Sequence, residues 1–163
     1  MIISPHLIVG AAIGAKTNNL GLIIILGLIS HLILDKIPHW DYAVFKNLEI
    51  FKKSRNLEYL LKPFLKMFID GFVGLIIVFL LIVFKNIPFN KLLFIGLGIF
   101  FSILPDIALI FSNLFIPEKD NTRYFLFHEK YLHSHKEKEG KITFPGLATQ
   151  ILIITISLLL FFF

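Results

Sequence analysis

Gly71-Phe72-Val73-Gly74-Leu75-Ile76-Ile77-Val78-Phe79-Leu80-Leu81-Ile82-Val83-Phe84 is an unbroken apolar run. It leaves no polar face to present to water, so it belongs in a core or a bilayer. With the residues back to Pro63 it is long enough, at 1.5 Å per residue, to cross a hydrocarbon core of about 30 Å. The rest of the chain has the same character. Its 163 residues are 56% hydrophobic and include 19 Phe, with a mean hydropathy of +0.82. The apolar excess lies in long runs, which predicts an all-α, polytopic membrane helical bundle forming one domain over residues 1–163.

Beyond this run, residues 85–90 form a turn with Pro88. A second span covers 91–116 and is interrupted by Leu104-Pro105-Asp106. A polar, His-rich loop occupies 117–143, and a last span, 144–163, ends in three phenylalanines. Before it, residues 43–62 carry Val44, Leu48, Phe51 and Leu57 at roughly helical spacing among Lys46, Lys52, Lys53 and Arg55, the pattern of a basic amphipathic segment on a membrane surface. Residues 20–36 form another span. Residues 2–15 are too short to cross alone and read as a short N-terminal helix whose Gly10 and Gly14 let a neighbour approach. The expectation is four full spanning helices plus that short one.

Charge gives the sidedness. Lys36 to Lys66 and Lys119 to Lys141 hold most of the basic residues, and two spans separate them, so the positive-inside rule places both in the cytoplasm. The N-terminus and the His-rich loop are then cytoplasmic and the C-terminus lies outside. The same rule accounts for the net charge of +5 without nucleic acid as a partner. No Lys or Arg precedes the first apolar run, so the charged region of a cleaved signal peptide is missing. There is no cysteine, which leaves imidazole and carboxylate as the only strong metal ligands, a set that suits zinc or manganese.

Ionisable residues inside apolar helices are expensive and usually paired or functional. Ser30-His31-Leu32-Ile33-Leu34-Asp35-Lys36-Ile37-Pro38-His39-Trp40-Asp41 places His31 and Asp35 on one helical face, with His39 and Asp41 in the turn beyond. Under the topology above, His6, His31, Asp35, His39, Asp41, Asp70, Asp106, His128, His133 and His135 all fall toward the cytoplasmic side. Each has a bland reading, as a packed polar group or an interfacial residue beside Trp40. Their convergence predicts one shared site for one or two divalent metals. A parallel two-helix repeat would align His6–Gly10 with Asp70–Gly74, and Gly27–Asp35 with Gly98–Asp106.

Pro5-His6, Ser30-His31…Asp35, Leu104-Pro105-Asp106 and His128…His133-Ser134 resemble the membrane-bound predicted metal-dependent hydrolases, the family of the LexA-regulated inner-membrane hydrolase type. Pro5 stands where that family has Thr, Ala108 replaces the second Asp of Leu-Pro-Asp-x-Asp, and Glu129 follows His128 in place of Arg. The resemblance implies a small multi-spanning metalloenzyme.

The residues suggest three functions. As a hydrolase, the ten His and Asp residues would supply the metal ligands, Glu129 a general base, and Lys130 and Lys136 contacts to a phosphate. The substrate would be a lipid-like amphiphile at the cytoplasmic interface of the membrane. An ion or proton transporter would use Asp70 and Asp106 as relays, but the far halves of the helices offer no matching groups. A non-catalytic membrane protein would use the cluster as a structural metal staple, with the ion saturated by protein.

Overall fold

The computed structural model describes residues 1–115 and 141–162. In chain order the helices are α1 (Ile3–Lys16), α2 (Leu20–Lys36), α3 (Val44–Ser54), α4 (Glu58–Phe84), α5 (Leu92–Phe115) and α6 (Phe144–Phe162), with a 3-10 turn, Phe89–Lys91, leading into α5. There is no strand among the described residues. Three helices are long and apolar enough to cross a membrane: Glu58–Phe84, Phe89–Phe115 and Phe144–Phe161. The fourth expected span, α2, has 17 residues.

Local chemistry sets the boundaries. The Asn19 side chain accepts the Leu22 N–H at 3.1 Å and caps α2. At its other end Ile37 is extended, as the residue before Pro38 should be. The turn after it closes when Asp41 Oδ1 accepts the Ala43 N–H at 2.7 Å. The segment expected as one amphipathic stretch, 43–62, is divided. α3 takes its first part and ends at Arg55, in the left-handed region with φ 56°, and α4 begins within its second part. Asn56 Oδ1 accepts the Glu58 N–H at 2.9 Å, so α4 starts five residues before Pro63 and carries that proline in its second turn.

The bundle is built around α1, which packs against α2, α4, α5 and α6. Without a hydrophobic driving force in lipid, such packing depends on close backbone approach. Here a β-carbon on Gly10 would overlap the Gly98 carbonyl of α5, and one on Gly14 would overlap that of Phe94. Ile8, Ala11 and Ala12 form the core with Val78 and Leu81 of α4, Ile95 of α5 and Phe161 of α6. Large apolar side chains such as Phe68, Phe79 and Phe111 face outward, as lipid contact requires.

The polar contacts gather at one end. Asp70 Oδ2 accepts the Ser4 N–H, and Ser102 Oγ donates to the His6 carbonyl at 2.6 Å. From α6, Thr149 Oγ1 bonds the Pro38 carbonyl and Gln150 Nε2 the Trp40 carbonyl. α1 and α6 therefore begin where α2 ends and where α5 carries Ser102 and Asp106, and α4 passes the start of α1 at Asp70.

Candidate metal centre

At that end two imidazoles and two carboxylates meet below the surface. His6, from the first turns of α1, is fully buried, as is His31 on α2, and Asp35, one turn beyond His31, is 1% exposed. Asp106 reaches in from α5, just after Pro105. His6 Nε2 lies 3.2 Å from Asp35 Oδ1. His31 Nε2 lies 3.1 Å from Asp35 Oδ2 and 3.7 Å from Asp106 Oδ1. The two rings stack with centroids 4.5 Å apart. The amino group of Met1 also contacts Asp35 Oδ1, at 2.9 Å.

The His31 contacts fix its chemistry. Its Nδ1 is 2.9 Å from the Ser102 carbonyl, and a carbonyl can only accept, so Nδ1 carries the hydrogen. In the neutral ring, Nε2 then presents a lone pair toward two carboxylates. That arrangement is repulsive unless positive charge lies among them; the Met1 ammonium on Asp35 supplies one such charge, and a proton or a metal cation would supply another. A ring held by an Nδ1–H···O=C bond with Nε2 turned inward is the usual posture of a metal-ligating histidine.

The donor set fits an ion. One ligand atom from each of His6, His31 and Asp106 can be chosen so that all lie within 4.8 Å of one another. Donors around an ion at about 2.0–2.2 Å would be roughly 3–3.5 Å apart, somewhat closer than the 3.7 Å between His31 Nε2 and Asp106 Oδ1. His6 Nδ1 is buried without a hydrogen-bond partner among the described residues. This group could hold a metal ion.

The other expected ligands lie elsewhere. Asp70 accepts the Ser4 N–H at 2.9 Å and hydrogen-bonds the Tyr42 phenol. Burial first, and the Asp70 charge second, push that phenol above its ordinary pKa. His6 and Asp70, equivalent under the two-helix repeat, thus have different surroundings. His39 Nδ1 contacts the Ile37 carbonyl at 2.7 Å, and Asp41 closes the turn before α3. His128, Glu129, Lys130, His133, His135 and Lys136 lie outside the described residues.

Two participants had no signal in the sequence. Ser102, fully buried, ties α5 to both histidines through its hydroxyl and its carbonyl, yet nothing sets it apart from Ser112 or Ser157. Tyr42 looks like an interfacial aromatic until the fold brings it to Asp70.

Fold and cluster together define a helical membrane protein with a buried His/Asp group suited to a metal ion. No protein-family model matches the chain, and neither curated proteins nor solved structures give a match.

Proposed function

We propose that the chain is a membrane-embedded, metal-dependent hydrolase acting at the cytoplasmic interface of the membrane, on a phosphoester or similar bond of a lipid-like amphiphile. The observation that carries this reading is the posture of His31, its Nδ1 committed to the Ser102 carbonyl and its Nε2 facing Asp35 and Asp106. His6, His31, Asp35 and Asp106 would hold a divalent ion, zinc or manganese by ligand type. Such an ion supplies Lewis acidity and a nucleophile at neutral pH.

The residues of the chain do the rest. The Ser102 carbonyl fixes the His31 tautomer and ring plane. His6, His31 and Asp35 are buried from bulk water. Asp106, with its side chain 16% exposed, marks the side on which a substrate could approach. In this reading α2 is a fourth span, since 17 residues cover about 26 Å and 17 lies at the lower limit for crossing. Its Leu20, Ile25 and Ile33 are more than half exposed, which suits lipid contact. The basic residues of 36–66 put the site end in the cytoplasm and the C-terminus outside. Glu129 as general base and Lys130 and Lys136 as phosphate contacts complete the proposal.

The same burial supports a second reading, in which the ion is a structural staple saturated by protein. The test is metal analysis of the detergent-purified chain, followed by incubation with phospholipid vesicles before and after chelation. Stoichiometric metal, with headgroup release lost to chelator and restored by zinc or manganese, supports the hydrolase. Metal without turnover leaves the staple. Wild-type protein free of metal overturns both.

A further inference from the structure

Away from the His/Asp cluster, α1 and α4 leave a groove of about 770 Å³ between them. Its walls are Ile3 and Leu7 of α1, Leu65, Phe68 and Phe72 among others of α4, and Ile103 of α5. It follows α4 from Leu61 to Leu75, about 21 Å of helix, somewhat more than the roughly 15 Å that one leaflet contributes to the hydrocarbon core. The lining is apolar except at one end, where Lys62 stands. Lys62 pairs with Glu58, but Glu58 is the only acid between residues 52 and 66, among Lys52, Lys53, Arg55, Lys62 and Lys66. A long apolar trough with surplus positive charge at one end complements an amphiphile with a single tail engaged and an anionic head.

We infer that this groove is a binding site for one acyl chain of an anionic glycerophospholipid, with the lipid phosphate at Lys62. Gly71 keeps it open. A β-carbon there would meet only the Ile3 side chain, at 3.6 Å, so a larger residue can be built into the groove without moving backbone. The inference rests on the membrane reading but not on the metal, because lipid retention is measured without hydrolysis.

The test uses the full chain in nanodiscs of phosphatidylglycerol and phosphatidylcholine in equal parts, released into detergent and weighed by native mass spectrometry. Wild type should retain one phosphatidylglycerol in preference to phosphatidylcholine. Gly71→Leu should lose it. Gly96→Leu should keep it, since a β-carbon at Gly96 meets nothing within 4 Å. Lys62→Gln should cut the preference roughly fivefold, as expected for one basic residue near an anionic headgroup. If Gly71→Leu folds poorly, Leu65→Trp obstructs the same groove from an exposed position and should give the same loss. Equal retention of the two lipids by wild type, or undiminished retention when the groove is filled, overturns the inference. A photoreactive residue at Leu65 that crosslinks to the chain itself instead of to lipid also overturns it.

Discussion

Asp35 and Asp70 are both carboxylates in apolar helices, both near the same end of the bundle, and look alike in sequence. Their surroundings differ in kind. Asp70 is met by donors, the Ser4 N–H and the Tyr42 phenol, and acts as an N-terminal cap for α1 supplied by another helix. Asp35 is met by the Met1 ammonium and by two imidazole nitrogens, one of which belongs to a ring whose hydrogen is committed elsewhere. A carboxylate surrounded by donors is satisfied by the protein. One set among two imidazoles, a terminal ammonium and a second carboxylate belongs to a cluster whose members are themselves metal-ligating groups. An acid in an apolar helix is therefore a candidate site when the groups around it can themselves hold an ion, and a structural acceptor when they only donate hydrogen bonds.

That contrast can be broken by experiment. The largest expected effect is on metal content. Asp35→Ala should lose bound metal, with affinity down by more than the 10–100-fold typical of outer-shell changes, while Asp70→Ala should retain it on elemental analysis. Metal lost equally from both would erase the distinction. Next is stability: Asp70→Ala removes the cap and should cost about 1 kcal/mol, a fall in Tm of about 2–4 °C by thermal denaturation in detergent, with Asp70→Asn losing less because it keeps an acceptor. Tyr42→Phe, which removes one donor to Asp70, should cost less again.

The smallest effect is on titration. Tyr42 should ionise above its ordinary value of about 10 in an absorbance titration. Because the folded pKa is raised, the stability linked to it is present below about pH 10 and is lost as pH rises through the folded value. In Asp70→Asn the Tyr42 pKa should fall part of the way back, since burial, the larger cause, remains.

Much of the architecture is legible in the sequence because apolar runs and Pro38 are local signals. The end of α2 follows directly from Pro38, and the long apolar stretches of 63–84, 91–116 and 144–163 correspond to membrane-length helices. The true start of α4 depends on the Asn56 cap, a single hydrogen bond weaker as a signal than the proline that suggested position 63. Counting charge by side brings His6, His31, Asp35 and Asp106 toward one end, but it gives no orientation, and so it could not separate Asp70 from Asp35. Ser102 is invisible for a related reason. Its role comes from a hydroxyl and a carbonyl aimed at two other helices, and neither direction is encoded in its neighbours.

The glycine contact at the centre of the bundle has a consequence for biogenesis. Gly10 is made early, but the Gly98 carbonyl it rests on comes nearly ninety residues later, and Phe161 later still. A ribosome that has released α2 has supplied His6 and His31 but neither Ser102 nor Asp106. At about 5–20 residues per second, His31 precedes Asp106 by roughly 4–15 s. During that interval two histidines must stay in the membrane or at its surface without their final neighbours. Closure of this bundle is therefore a late step, governed by the arrival of its last helices.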